Sequence, residues 1–324
     1  MNRRARAKAQ ANIALVKYWG KRDVARNLPA VGSISVTLAD LSTETEVVAG
    51  DSVLDDSFEL NGSAASPQEM ARIGQFLDRM RGAAGVTHRA KIVSANNFPT
   101  GAGLASSASG FAALTLATSA AFGMDSSAKE LSVLARLGSG SAPRSLLGGF
   151  VEMAAGRSKD GSDAVATQLF DESHWPLDIL VAVTTEAAKK TGSTAGMQQS
   201  SAYFSAWVDG ANADLAAARA AIGARDIEAL GTVAEHSCLK MHAVALAAKP
   251  GLLYWNAATV ALIHAVREGR SSGIAMFFTI DAGPQVKVFC EAKDATTVAR
   301  IIEGVDGVAR VIRTSIGPGA VLLD

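Results

Sequence analysis

Residues 97–117 read NFPTGAGLASSASGFAALTLA, and the rest of the chain can be interpreted outward from them. The stretch begins with turn-forming and small residues and continues in helix formers, so it predicts a loop that leads into a helix ending near Phe122. A helix N-terminus presents unpaired N–H groups and favours anions, while glycines let a phosphate approach the backbone closely. We interpret the stretch as a phosphate-binding loop. The alternative is a helix start whose small residues serve only tight packing, because glycine patterns give many false positives.

The elements on either side of this loop predict an α+β protein. Ser66 and Glu69 form a capping box at the start of a predicted helix, residues 66–81. Before the loop we expect strands at 11–18, 33–38, 44–49, 57–60 and 90–95. After it we expect a helix at 125–137, strands at 150–154, 165–169 and 178–184, helices between 191 and 269, strands at 273–280 and 285–290, a helix at 294–303, and strands near 308–313 and 319–323. The change in character predicts two domains, 1–185 and 186–324.

Composition restricts the class of protein. The 324 residues carry 31 Lys plus Arg and 31 Asp plus Glu, so bulk charge gives no sign of a nucleic-acid partner. The longest apolar runs fall short of the ~20 residues of a membrane span, and the basic N-terminus lacks the apolar region of a signal peptide. Cys238 and Cys290 have no zinc-type spacing, and the five histidines form no metal motif. We expect a soluble cytoplasmic protein with free thiols and no membrane or nucleic-acid partner.

Three charged side chains stand in places that suggest chemistry. Lys17 interrupts an apolar strand, Arg144 follows the glycine- and serine-rich loop at 138–149, and Asp281 ends an apolar strand in the string TIDAGP. Each has an ordinary interpretation: an edge lysine, a solvated arginine and a turn-forming aspartate. The functional interpretation is a cation, a planar donor for carboxylate or phosphate, and a carboxylate for proton transfer. Spacing alone does not separate the two.

Five motifs in order resemble one family. NIALVKYWGKRD at 12–23, PTGAGLASSASGFAAL at 99–114, GSGSAPRSLLGGF at 138–150, STAGMQ at 193–198 and DAGP at 281–284 are similar to motifs of the GHMP kinase superfamily, and within it of the mevalonate diphosphate decarboxylases. The resemblance extends over nearly the whole chain. It implies the GHMP kinase fold, with an N-terminal α+β domain, a C-terminal ferredoxin-like domain of helices and sheet, and a cleft between them.

The resemblance also implies an activity and its cofactors. Members of the family use ATP and Mg²⁺ to phosphorylate the 3-hydroxyl of mevalonate 5-diphosphate. Phosphate and CO₂ then leave, giving isopentenyl diphosphate and ADP. A homodimer is the expected assembly. The alternatives are a decarboxylase of mevalonate 5-phosphate that yields isopentenyl phosphate, a kinase that stops at phosphorylation, and a non-catalytic nucleotide-binding paralogue.

Site residues follow from the resemblance position by position. The catalytic residues would be Asp281 as acid/base, Lys17 beside it and Arg144 on the substrate carboxylate. The substrate-binding residues would be Tyr18, Trp19, Gly20, Lys21, Arg72, Ser139, Gly140, Ser141, Ala142, Pro143, Ser193 and Thr194. ATP would be bound by Pro99, Gly101, Ala102, Gly103, Leu104, Ala105, Ser106, Ser107 and Ser109, with Ser107 nearest the metal.

The chain departs from the family pattern at three positions. Pro143 stands where Cys is usual, Gly192 where Ser is usual, and Gln285 where Asn is usual. A proline fixes φ and removes a donor, so the loop before Arg144 could be reshaped. Pro143 and Gly192 lie beside the expected substrate site, and they bear on the length of the phosphate tail more than on the chemistry.

Overall fold

The computed structural model describes residues 3–98, 106–185 and 200–324. The strands are β1 (Arg3–Val16), β2 (Lys21–Asp23), β3 (Leu28–Pro29), β4 (Ser33–Ala49), β5 (Ser57–Leu60), β6 (Ser63–Ala64), β7 (Ala90–Asn96), β8 (Phe150–Met153), β9 (Ala166–Phe170), β10 (Leu177–Val183), β11 (Met276–Ile280), β12 (Val286–Glu291), β13 (Arg310–Ser315) and β14 (Val321–Leu323). The helices are α1 (Pro67–Ala84), α2 (Ser106–Ala121), α3 (Ala128–Gly138), α4 (Phe204–Ala224), α5 (Ile227–Leu246), α6 (Ala257–Ser271) and α7 (Ala295–Glu303). A 3₁₀ turn spans Ala142–Ser145.

The larger sheet has the strand order β14-β1-β4-β7-β5-β6, and β8 and β9 extend it from the first half of β4. β1 begins at Arg3, not at residue 11 as predicted, because its first half alternates charged residues with alanines. The alanines face the core, and the charges pair across the strands, with Arg4 Nη2 2.6 Å from Glu46 Oε2 and Lys8 Nζ 3.4 Å from Glu44 Oε1. β1 is thus an amphipathic strand whose apolar half is alanine.

β4 is one continuous strand where the sequence predicts two. The residues between the predicted strands stay in the sheet, and Leu41 and Thr43 are buried there. The register of β1 against β4 shifts twice, between Gln10 and Asn12 and again between Ala14 and Val16, and these irregularities absorb the mismatch. β4 therefore pairs with β8 in its first half and β7 in its second.

Helices α1 and α2 pack on the larger sheet, and α3 packs against α1, α2 and the 3₁₀ turn. The predicted capping box of α1 is confirmed, since Ser66 and Glu69 satisfy each other's backbone N–H groups. α2 is almost wholly buried, and its small residues allow it to lie close to β1 and β4. Phe76 of α1 meets Phe111 of α2 edge to face at 5.3 Å. The small residues of α2 therefore do serve packing, at least along the helix itself.

The smaller sheet has the antiparallel order β11-β12-β10-β13. It meets the larger sheet where β1 and β11 end, with Thr279 Oγ1 donating to Ala14 O at 3.1 Å. One hydrophobic cluster runs through both sheets and includes Leu15, Phe150 and Phe277. Mixed helices and sheets confirm the predicted α+β class. Within the three described ranges, none of the helices has the length and apolar character that crossing a membrane requires.

Candidate active site

Lys17 and Asp281 meet at the junction of the two sheets. Lys17 follows β1, is buried, and donates from Nζ to Asp281 Oδ1 at 2.7 Å and to Ala14 O at 2.8 Å. Asp281 follows β11, and its side chain is 25% exposed, so one side of the carboxylate remains open to a ligand. The pair matches the sequence prediction that Lys17 lies beside the Asp281 carboxylate.

Helix α5 holds the strand end that carries Asp281. Cys238 accepts from the backbone N–H of Ile280 at 3.3 Å, and its thiol lies 3.5 Å from the Ile280 carbonyl. His242 Nε2 contacts the same carbonyl at 3.3 Å, and burial lowers the pKa of His242 to about 3. A histidine that stays neutral near pH 7 is a packing and hydrogen-bonding group here. These contacts were not foreseen from the sequence, since they join residues about 40 positions apart.

Lys287 is a third charged group at this junction, and it is absent from the predicted site. It lies in β12, is buried, and its Nζ is 3.7 Å from Asp281 Oδ2. The signal that singled out Lys17, a lysine inside an apolar strand, is also present in VKVFC at 286–290. The sequence could therefore have nominated Lys287 by the same criterion.

Arg144 is held rigidly by two serines of β4. Its Nη1 donates to Ser33 Oγ at 2.6 Å and its Nε donates to Ser35 Oγ at 3.1 Å. Burial lowers the pKa of Arg144 to about 10, and the nearby negative charge of Asp281 acts in the opposite direction. Arg144 therefore remains charged near neutral pH, with its guanidinium oriented before any ligand arrives.

Tyr18 lies against the guanidinium of Arg144. The Arg144 Cζ atom is 5.9 Å from the Tyr18 ring centroid, and burial raises the pKa of the Tyr18 phenol to about 12. The buried Tyr18 hydroxyl has no hydrogen-bond partner among the described residues. A Cβ at Gly140 would collide with this hydroxyl, so glycine at 140 is what lets the loop approach Tyr18.

The second loop is compact around Arg144. Ser139 and Ser141 contact each other through their hydroxyls at 3.2 Å. Ala142 and Pro143 begin the 3₁₀ turn and are buried. The unusual proline is accommodated in that turn, and Arg144 keeps its serine contacts beside it.

The site continues from Tyr18 through Trp19, Gly20 and Lys21, and Arg72 of α1 lies near Lys21. We call Trp19, Gly20, Lys21 and Arg72 the basic row. Trp19 is buried and its carbonyl accepts from Trp207 Nε1 at 3.1 Å. Gly20 has φ +87°, and a Cβ there would lie 2.6 Å from the Phe204 ring. Burial, and then the neighbouring Arg72 guanidinium, lower the pKa of Lys21. Arg72 Nη2 donates to the carbonyl of Gly138 at 2.9 Å, and this bond joins the basic row to the glycine- and serine-rich loop at 138–149.

The start of α2 contains the described part of the predicted ATP site. Ser107 is exposed, Ser106 is partly exposed, and the first turn has no acidic residue, so nothing there repels an anion. Ser109 is different, because its hydroxyl is buried 2.7 Å from Thr43 Oγ1. That placement favours anchoring of the helix over contact with a nucleotide. The predicted residues Pro99, Gly101, Ala102, Gly103, Leu104, Ala105, Ser193 and Thr194, and the departure at Gly192, lie outside the described residues.

The arrangement combines one carboxylate with several fixed cations. Asp281 can exchange a proton, and the lysines and Arg144 can stabilise negative charge that develops nearby. Over the part of the chain that is described, no group of three or more His, Cys, Asp or Glu side chains could hold a metal ion.

The sequence as a whole matches known proteins along its full length. A diphosphomevalonate decarboxylase-like N-terminal domain model matches residues 9–166, and a mevalonate 5-diphosphate decarboxylase C-terminal domain model matches residues 179–319. A diphosphomevalonate decarboxylase of Gibberella zeae is 36% identical over 375 residues, covering 99% of this chain and 97% of that protein. The chain belongs to the diphosphomevalonate decarboxylase family. The resemblance inferred from the five motifs is therefore confirmed.

Solved structures of this family have the same fold. The mevalonate diphosphate decarboxylase of Staphylococcus aureus superposes with a TM-score of 0.94 at 39% identity, covering 100% of this chain and 99% of that one. A structure described as MDDEF in complex with MVAPP, AMPPCP and magnesium gives a TM-score of 0.93 at 37% identity, with 100% of both chains covered. The predicted GHMP kinase fold is thereby confirmed. The boundary at residue 185 stays a prediction.

Proposed function

We propose that the protein catalyses the ATP-dependent decarboxylation of mevalonate 5-diphosphate to isopentenyl diphosphate, with release of ADP, phosphate and CO₂. The observation that carries this proposal is the Lys17–Asp281 ion pair, 2.7 Å long, in a chain of the diphosphomevalonate decarboxylase family. The Asp281 charge also acts on the guanidinium of Arg144. Arg144, a planar donor fixed by Ser33 and Ser35, is suited to hold the substrate carboxylate that leaves as CO₂.

Asp281 serves as the base for the tertiary 3-hydroxyl. Its side chain is 25% exposed while that of Lys17 is buried, so a substrate can contact the carboxylate directly but not the lysine. Asp281 accepts the hydroxyl proton as the oxygen is phosphorylated. Lys17 keeps the carboxylate oriented and stabilises the negative charge around the transferred group.

Arg144 holds the substrate carboxylate. Ser33 and Ser35 fix its guanidinium, so little side-chain freedom is lost on binding. Departure of phosphate leaves positive charge at C3, and the carboxylate then collapses to CO₂. A planar donor that holds the carboxylate in line with C3 favours that collapse over side reactions.

ATP and Mg²⁺ are the cofactors of the proposed reaction. The residues that would hold the nucleotide are the loop at 99–105 and Ser106 and Ser107 at the start of α2, with Ser107 beside the metal. The exposed Ser107 hydroxyl and the acid-free first turn fit a phosphate group. When bound, ATP supplies the phosphoryl group that makes the tertiary oxygen a good leaving group, and Mg²⁺ neutralises phosphate charge.

We assign the phosphate tail of the substrate to Lys21 and Arg72, the two charged residues of the basic row. Lys21 and Arg72 lie close enough for the charge of one to lower the pKa of the other, an arrangement that an anion would relieve. Tyr18, Trp19, Gly20, Ser139, Gly140, Ser141, Ala142 and Pro143 would line the pocket, with Ser193 and Thr194. From the family resemblance we also propose that the protein is a cytoplasmic homodimer. Light scattering of the purified protein tests whether it is a dimer.

The substrate is tested by three parallel reactions with ATP and Mg²⁺. Purified protein receives mevalonate, mevalonate 5-phosphate or mevalonate 5-diphosphate, and ADP and CO₂ are both followed. Turnover with the diphosphate alone supports the proposal. Preference for the monophosphate would mean that Pro143 and Gly192, where the chain departs from the family pattern, alter the length of phosphate tail that the site accepts. ADP without CO₂ would identify a kinase. Nucleotide binding without turnover in any reaction would identify a non-catalytic paralogue.

A further inference from the structure

Lys287 occupies a position where a lysine is costly. It lies in β12, an inner strand of the smaller sheet, and its side chain is 1% exposed. Its neighbours Val286 and Val288 are fully buried. Taking an ammonium group out of water costs several kcal/mol in real proteins unless the charge is compensated, so a residue of this kind needs an explanation.

Asp281 supplies compensating charge for this ammonium group. Lys287 Nζ lies 3.7 Å from Asp281 Oδ2, while Lys17 Nζ lies 2.7 Å from Asp281 Oδ1. The two lysines therefore flank the two oxygens of one carboxylate, and they come from different sheets. Lys287 Nζ also donates to the carbonyl of Gln285 at 3.3 Å, which fixes the position of its ammonium group.

The register of the sheet explains why Lys287 reaches this place. Lys287 pairs with Thr279 of β11, and Thr279 bonds to Ala14 near the end of β1. Side chains alternate along a strand, so Lys287 and Phe289 share the face that looks toward β1 and α5, while Val286 and Val288 face the other side. A one-residue slip would remove the charge from Asp281 entirely.

We propose that Lys287 is a positioning residue for the proposed reaction, acting with Lys17 to hold the Asp281 carboxylate ionised and oriented toward the 3-hydroxyl. This role rests on the proposed function. Among the described residues, the charged or titratable groups near Asp281 include Lys17 after β1, Arg144 in the 3₁₀ turn, and Cys238 and His242 in α5.

Those neighbours do not substitute for Lys287. Burial raises the pKa of Cys238 to about 11 and lowers that of His242 to about 3, so both are neutral near pH 7. Lys17 contacts the opposite oxygen, and Arg144 is bonded to Ser33 and Ser35. Loss of the Lys287 charge should therefore make Asp281 easier to protonate, since a nearby cation favours the ionised carboxylate.

The test is the pH profile of kcat/KM for Lys287→Met. Lys240→Met is the matched control, because Lys240 also pairs with an acid, Asp214 at 2.6 Å, but on α5 and α4 away from the site. We expect the acid limb of the Lys287→Met profile to move up by about one pH unit or more, with ATP-analogue binding unchanged. Lys240→Met should keep the wild-type profile. A folded Lys287→Met protein with the wild-type acid limb would overturn the proposal.

A double-mutant cycle keeps the test decisive if Lys287→Met is unstable. Thermal midpoints are measured for Lys287→Met, Asp281→Asn and the double variant. If the two side chains act on each other, the double variant loses less than the sum of the single losses. If the losses in thermal midpoint are additive, Lys287 contributes only packing. The same conclusion follows if the double variant fails to fold just as Lys287→Met does. An inactive wild type would instead refute the proposed function, and the cycle could still be measured.

Discussion

The Nζ atom of Lys17 lies 2.7 Å from Asp281 Oδ1, although 264 positions separate the two residues in the chain. The contact joins the end of β1 in the larger sheet to the end of β11 in the smaller one. Lys17 and Lys287 are both buried and lie beside the two carboxylate oxygens, while the Asp281 side chain keeps 25% of its surface exposed. A carboxylate held by buried cations and still accessible is what a proton acceptor for a bound alcohol requires.

Arg144→Lys should reduce kcat/KM by roughly 10- to 150-fold. The substitution keeps the charge but removes the planar donor set that Ser33 and Ser35 orient, and a hydrogen bond to a charged group contributes about 1.5–3 kcal/mol. Steady-state kinetics with mevalonate 5-diphosphate measure it. Arg219→Lys, at an exposed ion pair with Glu152, is the control. Equal kinetics in the two variants would remove Arg144 from the site.

Ser107→Ala should raise KM for ATP while leaving the thermal midpoint near that of wild type, because Ser107 is exposed at the start of α2. Ser109→Ala should do the reverse and lower stability by about 1 kcal/mol, since it removes the hydroxyl bonded to Thr43. ATP titrations and thermal unfolding of both variants distinguish them. Unchanged ATP kinetics in Ser107→Ala would contradict a nucleotide role for that hydroxyl.

Gly140→Ala should raise KM for mevalonate 5-diphosphate by about tenfold or more, because its Cβ would collide with the Tyr18 hydroxyl and displace the loop. Gly74→Ala is the control, since a Cβ there meets nothing within 4 Å in the middle of α1. That variant should be stabilised by roughly 0.5–1 kcal/mol with unchanged kinetics. A Gly140→Ala enzyme with wild-type KM would show that the loop and Tyr18 do not shape the pocket.

His242 should make the protein less stable in mild acid. Its pKa is lowered to about 3 when folded and is near 6.5 when unfolded, so the unfolded chain binds the extra proton between these values. Stability is therefore lost as pH falls through that window. His242→Gln should cancel about 2 kcal/mol of the loss between pH 7 and pH 5. Urea unfolding at both pH values measures it, and His236→Gln, exposed on the same helix, should behave as wild type.

The positions of the candidate site residues could be anticipated where they lie within recognisable local motifs. Lys17, Arg144 and Asp281 each follow a strand or a glycine-rich loop, and the structure brings all three to one junction. Lys287 was missed because its contact with Asp281 depends on the register of β11 against β12, which the sequence does not reveal. The contacts of Cys238 and His242 with the backbone of Ile280 were missed for a similar reason, because they depend on how α5 packs against β11.

The fold was predicted in class and less well in its strand limits. The start of β1 was missed because alternation of Arg and Lys with alanine lacks the large apolar residues that signal a strand. Its backbone pairing with β4 and the burial of Ala7 and Ala9 hold it in the sheet. The continuity of β4 was missed because polar residues inside it are satisfied by neighbours. Thr43 Oγ1, for example, donates to Asn96 Oδ1 at 2.6 Å.

The most direct test compares ADP and CO₂ released from mevalonate 5-diphosphate by the wild type and by Asp281→Asn. We predict one CO₂ per ADP in the wild type and a parallel loss of both products by at least about 100-fold in the variant. Both are lost because the 3-hydroxyl must give up its proton for the oxygen to be phosphorylated, and CO₂ leaves only after that step. A variant that still released CO₂ near the wild-type rate would contradict the role of Asp281. ADP without CO₂ from the wild type would contradict the proposed reaction itself.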